Sequence, residues 1–394
     1  MANSSNVPRI LFLFSDTGGG HRSAAEAIIE AIHLQYGDHF DIQIVDIFKK
    51  CAPLPLNYMP ELYPKMVKVP QAWGLGYKMT NSHRRARFIT ASSYPYVRRS
   101  VQKMVHQNPC DVIVSVHPLA AAPILRVLGK NRPPFIVVVT DLVSTHALWY
   151  HHHTDLCLVP TEIARQRAID FGMDAQKVRV VGLPVSDHFC SPPGDAFIIK
   201  QKLGWPDHLP VILLVGGGEG MGPLEKTATA IDAARLPAAM VIVAGRNLKL
   251  KERLQSKDWQ IPTYIYGFIK EMPEFMRGAD ILVTKAGPGT ISEALNAGLP
   301  MVIYSRLPGQ EDGNVAYVVS EGAGYWAPNP AKTVEVISNW LNHPEQRKQA
   351  VQACLKLAKP QAARQIAQII IEEFLPKASH RTDEIPPHKS WGNQ

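Results

Sequence analysis

The residues Ile10-Leu-Phe-Leu-Phe-Ser-Asp-Thr-Gly-Gly-Gly-His-Arg-Ser23 have the same order of features as Val211-Ile-Leu-Leu-Val-Gly-Gly-Gly-Glu-Gly-Met-Gly222 in the second half of the chain. In each stretch, a run of apolar residues is followed directly by a cluster of glycines. Such a run is typical of a strand buried on both faces of a parallel sheet, and glycine permits a tight turn before a helix. The two stretches therefore predict a strand, a turn and a helix in each half.

Similar apolar runs recur through both halves and predict further strands. In the first half these runs are Ile10–Phe14, Phe40–Ile47, Asp111–Val116, Phe135–Val139 and Leu156–Val159. In the second half they are Val211–Val215, Ala239–Ala244, Thr263–Tyr266, Ile281–Val283 and Met301–Ile303. Apolar strands that alternate with helical segments form parallel sheets with right-handed crossovers. The sequence therefore predicts an α/β protein of two Rossmann-like, doubly wound domains that face a cleft.

The length of 394 residues fits two domains of this type better than one. Between the halves, Asp187–Asp195 is rich in turn-forming residues and lacks a periodic apolar pattern. We therefore predict an N-terminal domain over residues 1–188 and a C-terminal domain over residues 189–375. Residues 376–394 have no apolar pattern, and we predict that they are disordered.

Composition excludes several classes of protein. Hydrophobic residues make up 46% of the chain and charged residues 19%, which favours a globular protein over a disordered or fibrous one. The first nine residues lack the apolar core of a signal peptide, and no apolar run is long enough to span a bilayer. The five cysteines are scattered without a Cys-x-x-Cys motif, so neither a disulfide framework nor a zinc site is predicted. We expect a cytoplasmic protein.

The net charge of +8 is concentrated in one segment. Between Glu61 and Asp111 there is no acidic residue, whereas nine Lys and Arg residues fall there, interleaved with apolar and aromatic residues such as Trp73 and Phe88. This mixture suits the interface of an anionic bilayer, where apolar groups enter and cations meet head groups. A solvated helix face and a nucleic-acid contact are the alternatives, although the aromatic residues form no RNA-binding motif.

The first glycine turn allows more than one interpretation. Gly18 and Gly20 fit the first two glycines of a dinucleotide-binding fingerprint, but Ser23 replaces the third. Asp46, at the end of the second strand, is either the ribose acid of a nicotinamide site or a strand-end residue. No Lys-Ser/Thr pair follows the turn, which excludes an ATPase phosphate loop. His21 at the helix start is either a general base facing the cleft or a helix-start hydrogen-bonding group.

Two further turns, Gly216–Gly222 and Thr284–Thr290, place helix N-termini at the predicted carboxyl edge of the second sheet. Their backbone N–H groups suit a diphosphate that is bound without metal. A nucleotide-sugar also needs cations near the phosphates, a carboxylate for the ribose, and an amide and a carboxylate for the sugar. The residues that can supply these groups are Arg246, Lys285, Glu293, Gln310 and Glu311.

Four motifs together resemble the monogalactosyldiacylglycerol synthases of plants and photosynthetic bacteria. They are Ser15-Asp-Thr-Gly-Gly-Gly-His21, Gly216-Gly-Gly-Glu-Gly-Met-Gly-Pro223, Thr284-Lys-Ala-Gly-Pro-Gly-Thr290 and Pro308-Gly-Gln-Glu-Asp-Gly-Asn314. The related bacterial diacylglycerol glucosyltransferases share several of them. The resemblance covers roughly Arg9 to Phe374.

This resemblance implies a GT-B fold and an inverting, metal-independent transfer of galactose from UDP-galactose to diacylglycerol, which makes monogalactosyldiacylglycerol. UDP-glucose is the alternative donor, and no cofactor is expected because the UDP-sugar is a substrate. We expect peripheral attachment to the cytoplasmic face of a membrane, with an anionic lipid such as phosphatidylglycerol as a partner and no nucleic acid. A nicotinamide-dependent oxidoreductase and a non-catalytic lipid-binding protein are the remaining alternatives.

The resemblance also implies roles for individual residues. His21 matches the general base, and Asp141 is the alternative base. The donor-binding candidates are Gly217, Gly218, Arg246, Phe268, Lys285, Gly287, Pro288, Thr290, Glu293, Gln310, Glu311 and Asn314. The acceptor and membrane candidates are Gly19, Gly20, Trp73, Arg84, Arg85, Arg87 and Trp149. No metal site is expected at His151, His152 and His153, because three consecutive residues of regular structure cannot all face one ion.

Overall fold

Two parallel six-stranded sheets organise the chain in this computed structural model. The structure describes residues 7–375 apart from residues 18, 55, 68, 191–193 and 221, so the tail 376–394, predicted to be disordered, lies outside the described residues. The first sheet comprises β1 (Arg9–Phe14), β2 (Asp41–Asp46), β3 (Val112–Ser115), β4 (Phe135–Val138), β5 (Leu156–Val159) and β6 (Val178–Val180). The second comprises β7 (Val211–Val215), β8 (Ala239–Val243), β9 (Thr263–Tyr266), β10 (Ile281–Lys285), β11 (Met301–Ser305) and β12 (Gly324–Trp326).

The strand orders are β2-β1-β3-β4-β5-β6 and β12-β11-β10-β7-β8-β9. In each sheet the chain winds outward in both directions from the first strand, β1 or β7, which is the doubly wound arrangement. In such sheets the crevice at the carboxyl end of the strands, where the winding direction changes, is the usual ligand site. The first glycine turn follows β1 and the second follows β7, so both turns lie at these switch points.

Helices connect and cover the strands. In the first half they are α1 (Gly20–Tyr36), α2 (Ile47–Cys51), α3 (Met59–Met66), α4 (Pro70–Thr80), α5 (His83–Gln107), α6 (Ala121–Leu128), α7 (Glu162–Asp170) and α8 (Asp187–Cys190). In the second half they are α9 (Ala196–Leu203), α10 (Leu224–Ala233), α11 (Leu248–Gln255), α12 (Met272–Gly278), α13 (Pro288–Asn296), α14 (Asp312–Ser320), α15 (Pro330–Asn342), α16 (Pro344–Leu357) and α17 (Ala362–Gln368). Short 3₁₀ turns lie at Leu56–Tyr58, Ala147–Trp149 and Ala175–Lys177, and α17 continues into a π-helical segment, Ile369–Phe374.

Alternate residues of the strands build a separate core on each face of each sheet. On β1, Leu11 and Leu13 pack with Met104 of α5, whereas Ile10 and Phe12 face the other way. All four of these β1 side chains are almost fully buried. Burial on both faces explains why the strands are continuous apolar runs in the sequence. The predicted α/β fold with two doubly wound sheets is confirmed.

Two strands have no counterpart in the sequence prediction. These are β6 and β12, each three residues long and each at the edge of its sheet. In both, the first residue is buried and the middle residue is exposed. Edge strands of this length carry too short an apolar pattern to be separated from loops.

The last described helices pack on the first sheet, although they follow the second sheet in the chain. Ile366 and Ile370 lie in the same apolar core as Ile10 and Ile28. Arg364 Nη2 also lies 2.8 Å from Asp187 Oδ1 in α8. The domain limits at 1–188 and 189–375 stay a prediction, and the contacts of α17 associate it with the first core.

We predict that Ile366→Ala lowers the free energy of unfolding by about 2–5 kcal/mol, because it removes a completely buried side chain from the first core. Gln365→Ala on the exposed side of the same helix is the matched control and should change stability by less than about 0.5 kcal/mol. Urea unfolding measures both. Equal effects of the two substitutions would show that α17 does not contribute to this core.

Candidate active site

The first glycine turn ends β1 and begins α1. Gly19 is the N-cap of this helix and has φ of 78°, a left-handed conformation that glycine adopts at little cost. A side chain at Gly20 would meet nothing within 4 Å, so the space in front of the turn is open. This geometry places His21 in the first turn of α1, at the carboxyl edge of the first sheet.

Groups from two neighbouring strand ends and from the 3₁₀ turn Ala147–Trp149 surround the His21 ring. His21 Nδ1 lies 2.8 Å from Thr140 Oγ1, which follows β4. Its ring centroid is 4.7 Å from that of His117 after β3, and 6.0 Å from that of Trp149. The His21 ring also has a hydrogen bond to the Val116 backbone. In the tautomer whose Nδ1–H donates to Thr140, Nε2 carries the lone pair that can accept a proton. Burial lowers the pKa of His21 to about 4, so the imidazole is neutral at pH 7.

Asp141 lies beside this cluster and connects it to the second half of the chain. Its Oδ2 accepts a hydrogen bond from Trp149 Nε1 at 2.7 Å. Burial raises the pKa of Asp141 to about 6, while hydrogen bonds from Trp149 and the Gln310 side chain oppose this shift. Trp149 is only 1% exposed, so its indole positions Asp141 from within the core.

The second glycine turn is interlocked with the turn after β8. A side-chain carbon at Gly245 would lie 2.3 Å from the Gly218 carbonyl oxygen, so the two backbones approach this closely only because Gly245 has no side chain. Arg246 follows directly, with its guanidinium 4.3 Å from the centroid of the Phe268 ring and Nη1 3.0 Å from Glu219 Oε1. The structure therefore brings Gly218, Arg246 and Phe268 together.

Lys285 occupies the centre of the donor candidates. The pairing of β10 with β11 shifts register between Thr284 and Lys285. Lys285 Nζ donates to Glu311 Oε1 at 2.8 Å, and the other oxygen of Glu311 accepts the Leu307 N–H at 2.7 Å. A side-chain carbon at Gly217 would lie 3.3 Å from Lys285 Cε. The ammonium group is therefore held between the glycine turn and the loop after β11.

Helix α13 begins at this point with its N-terminus at the sheet edge. Gly287 is its N-cap and Pro288 lies in its first turn, where a missing N–H costs nothing. Thr290 and Glu293 are partly buried on the same helix. Burial raises the pKa of Glu293 to about 7. Both residues follow the turn. Within the described part of the chain, neither the Thr290 nor the Glu293 side chain forms a hydrogen bond to another donor-binding candidate.

The segment from Pro308 to Asn314 comprises the loop before α14 and the first three residues of that helix. This segment, here called the sugar loop, bridges the two halves of the chain. Asn314 Oδ1 accepts the Val143 N–H at 3.2 Å, and its amide donates to the Ala286 carbonyl oxygen at 3.0 Å. Gly313 N–H donates to Ser144 Oγ at 2.9 Å. These bonds hold the Gln310 and Glu311 candidates opposite Asp141.

Some of the acceptor and membrane candidates lie on α4 and α5, and the others belong to the cluster around His21. Arg84, Arg85 and Arg87 are exposed on α5, outside the cluster around His21. Trp73 is partly buried on α4, and its ring lies 5.4 Å from that of Tyr63 on α3. Gly19, Gly20 and Trp149 belong to the His21 cluster described above.

Sequence reasoning missed several residues of the site. Thr140 directly precedes Asp141 just after β4, so its place at the carboxyl end of a predicted strand could have identified it as a site residue. Tyr63 and Tyr77 lie in helices whose docking the sequence does not reveal. Asp46, considered above as a ribose acid, instead caps α2 by accepting the Phe48 and Lys49 N–H groups, which argues against a nicotinamide site.

The three consecutive histidines lie away from this cleft. His151, His152 and His153 line a cavity of about 650 Å³ together with several cations. The cations are Arg87, Arg126, Lys130, Arg132 and Lys177. Among the residues that the structure describes, no group of three or more His, Cys, Asp and Glu side chains is arranged to hold a metal ion. Within the same residues, no helix combines the length and apolar character needed to cross a bilayer.

Two family models match different parts of the chain. The family model for monogalactosyldiacylglycerol synthase matches residues 21–185, and that for the glycosyltransferase family 28 C-terminal domain matches residues 211–369. A probable monogalactosyldiacylglycerol synthase 2 of Oryza sativa subsp. indica is 38% identical over 366 residues, which cover 90% of this chain and 78% of the relative. Monogalactosyldiacylglycerol synthase 1 of Arabidopsis thaliana is 36% identical, with 90% and 69% covered.

Solved structures with similar folds include S. aureus MnaA with UDP and Acinetobacter baumannii MurG. MnaA has a TM-score of 0.58 and 16% identity, and the match covers 93% of this chain and 97% of MnaA. MurG has a TM-score of 0.58 and 15% identity, with 93% and 99% covered. These similarities confirm the predicted GT-B fold. From its identity to curated relatives across most of their length, the chain belongs to the monogalactosyldiacylglycerol synthase family.

Proposed function

We propose that the cleft transfers galactose from UDP-galactose to the free hydroxyl of diacylglycerol, with His21 as the general base. The chain is a glycosyltransferase, because it belongs to the monogalactosyldiacylglycerol synthase family. The observation that carries the residue assignment is the contact path from His21 through Trp149 and Asp141 to Gln310 of the sugar loop. This path joins a proton acceptor in the first half to the donor candidates in the second.

In the proposed reaction, the diacylglycerol hydroxyl attacks C1 of galactose from the face opposite UDP. His21 Nε2 accepts the hydroxyl proton as the new C1–O bond forms. The bond between C1 and the UDP oxygen breaks, and its electron pair leaves with UDP, so the configuration at C1 inverts. Neutral His21 is in the correct state to accept this proton at pH 7 because burial keeps its pKa low.

Donor binding is assigned to the second half of the chain. The N–H groups at the start of α13, with Lys285 and Arg246, stabilise the diphosphate and the charge that develops on departing UDP. Glu293 binds the ribose hydroxyls. Gln310 and Glu311 bind the hexose, and Asn314 fixes the loop that carries them. These assignments require no metal ion.

Galactose is the proposed hexose, and glucose is the second candidate because the two sugars differ only in one hydroxyl configuration. Turnover of UDP-galactose and UDP-glucose with diacylglycerol in bilayers separates these donors.

The membrane role is assigned to the segment between Glu61 and Asp111, which contains no acidic residue and is here called the acid-free segment. Leu75, Met79 and Phe88 are 62%, 58% and 73% exposed, which is unusual for large apolar side chains. Arg84 and Arg85 are exposed beside them. We assign apolar insertion to these side chains and assign the cation-lined cavity beside α5 to the phosphate of an anionic lipid such as phosphatidylglycerol. The proposed attachment is peripheral and on the cytoplasmic face.

We predict that His21→Ala lowers turnover by on the order of 10²- to 10⁴-fold and leaves UDP affinity nearly intact, because the imidazole acts on the acceptor alone. Steady-state kinetics and UDP calorimetry measure the two effects. His33→Ala, at an exposed position of the same helix, is the matched control and should retain turnover. Added EDTA should leave wild-type turnover unchanged. Near-normal turnover in His21→Ala would remove His21 from the mechanism.

The pH dependence separates His21 from Asp141. A base whose pKa is lowered to about 4 stays unprotonated at higher pH. At saturating UDP-galactose, where protonation of Glu293 with its pKa of about 7 no longer limits donor binding, kcat should be level from pH 8 to pH 5 and fall only near pH 4. Asp141, with a pKa raised to about 6, would produce a fall near pH 6. A fall near pH 6, combined with loss of turnover in Asp141→Asn but not in His21→Ala, would assign the proton transfer to Asp141.

We predict that Glu293→Ala weakens UDP and UDP-galactose binding alike, because the ribose is common to both. Gln310→Ala and Glu311→Ala should weaken UDP-galactose more than UDP, because only the intact donor carries the hexose. Calorimetry with each ligand measures the difference. Equal losses for UDP and UDP-galactose in Gln310→Ala and Glu311→Ala would contradict the assignment of the sugar loop.

We predict that charge reversal of Arg84, Arg85 and Arg87 to Glu lowers vesicle binding and activity on bilayer diacylglycerol, and spares UDP binding. Sedimentation with vesicles should rise with added phosphatidylglycerol and fall with salt, since charges are screened over about 8 Å at 0.15 M. The same reversal at three exposed lysines of the second half, Lys226, Lys249 and Lys270, is the control for net charge. Unchanged binding in the arginine triple variant would show that this run is only a solvated face.

A further inference from the structure

Helix α4 of the acid-free segment lies directly against the sugar loop. A side-chain carbon at Gly74 would be 2.8 Å from Pro308 Cβ and 3.2 Å from the Pro308 carbonyl oxygen. In the sugar loop, Gly309 has φ of 82°, and a side-chain carbon there would be 3.0 Å from the Tyr77 ring. Glycine on both sides of this contact allows the helix and the loop to touch without an intervening side chain.

Hydrogen bonds fix α4 and the sugar loop to the same residue. Tyr77 Oη donates to the Ser144 carbonyl oxygen at 2.5 Å. The hydroxyl of Ser144 accepts the Gly313 N–H at 2.9 Å. Thr80 Oγ1 also lies 3.0 Å from His146 Nε2, two residues after Ser144. A displacement of α4 therefore acts on the loop that carries Gln310 and Glu311.

Helix α3 adds an aromatic wall to the same region. Burial holds the pKa of the Tyr63 hydroxyl above its usual range, and the charges of Glu311 and Asp141 act in the same direction. Trp73 Nε1 and Gln310 Oε1 are buried, and neither has a hydrogen-bond partner among the described residues. An unpaired donor and an unpaired acceptor suit a ligand that is rich in hydroxyl groups, such as a hexose.

The same two helices also expose apolar side chains. Leu62 and Met66 of α3 are 40% and 44% exposed, and Leu75 and Met79 of α4 are exposed to a greater extent. One pair of short helices therefore contacts the sugar loop and also has exposed apolar side chains that can meet the proposed bilayer.

We propose that binding of the donor hexose and docking of α3 and α4 on the bilayer are energetically coupled, with Gly74 and Tyr77 as the positioning residues that transmit the effect. The inference rests on the proposed assignment of Gln310 and Glu311 to the hexose. A bound hexose fixes the sugar loop in the position that supports α4, and a bilayer that holds α4 favours the same loop position. UDP has no hexose and therefore lacks this effect.

Coupling of this kind is reciprocal by thermodynamic necessity. UDP-galactose should increase affinity for vesicles of phosphatidylcholine and phosphatidylglycerol about 5-fold or more, which is the lower end of typical allosteric coupling. The same vesicles should increase affinity for UDP-galactose by the same factor. These vesicles contain no diacylglycerol, so no transfer takes place during the measurement. UDP should leave vesicle affinity unchanged.

The matched variants are Gly74→Ala and Gly76→Ala. Both make the same substitution in α4, but a side-chain carbon at Gly76 meets nothing within 4 Å, whereas the one at Gly74 presses on Pro308. Gly74→Ala should reduce the coupling to less than about 2-fold and raise the KM for UDP-galactose, while vesicle affinity without nucleotide and UDP affinity stay normal. Gly76→Ala should retain full coupling. Tyr77→Phe, which removes the hydrogen bond to Ser144 but keeps the ring, should reduce the coupling in the same direction.

Two outcomes would overturn this inference. One is full coupling in both Gly74→Ala and Tyr77→Phe, and the other is an equal effect of UDP and UDP-galactose on vesicle affinity. Failure of the proposed donor site has a different signature. In that case Gln310→Ala weakens UDP and UDP-galactose equally, whatever the vesicles do. Selective loss of UDP-galactose affinity in Gln310→Ala, without coupling in the wild type, leaves the donor site in place and rejects the coupling alone.

Discussion

The buried amide of Asn314 joins the carboxyl edges of the two sheets. It is 2% exposed and uses both ends, accepting the Val143 N–H from the first half and donating to the Ala286 carbonyl in the second. An apolar residue at this position would leave two buried backbone groups unpaired, at a cost of about 1–3 kcal/mol each. This requirement fixes the start of α14 against the segment after β4. The rest of the cleft geometry, including the approach of Gln310 to Asp141, depends on it.

Burial in this cleft determines which groups carry charge. Lys285 and Glu311 form a close pair with little exposure, and the second carboxylate oxygen of Glu311 is satisfied by the Leu307 N–H. The additional hydrogen bond helps to offset the cost of removing both charged groups from water. Among the residues that the structure describes, no carboxylate is paired with His21, and burial favours the neutral imidazole. In the proposed assignment, the cleft therefore has an ion pair near the donor and a neutral base near the acceptor.

The sequence was sufficient for the parts of the structure that are set by local pattern. Continuous apolar runs predicted the inner strands, because these strands are buried on both faces, and the doubly wound order then places the glycine turns, His21 and Asp141 at one edge. The packing of α17 on the first core was not predictable from its place in the chain. Tyr63 and Tyr77 were also missed, because their roles depend on how two short helices dock and not on any periodic pattern. Asp46 shows the opposite case, since a strand-end carboxylate that suggested ribose binding serves as a helix cap.

The two-sided use of α3 and α4 follows from the physical problem of the reaction. The hydroxyl of diacylglycerol stays near the bilayer interface, whereas UDP-galactose dissolves in water, so the two substrates meet only at the edge of the membrane. A donor site that reached its reactive arrangement without the bilayer would have only water as an acceptor for C1 of the sugar, whereas a site closed against the lipid excludes water. If α3 and α4 form a wall of the proposed hexose pocket and also dock on the bilayer, closure of that pocket is linked to the presence of the lipid. The paired glycines at Gly74 and Gly309 allow that wall to contact the sugar loop directly, so a small shift of α4 has no flexible side chain to absorb it.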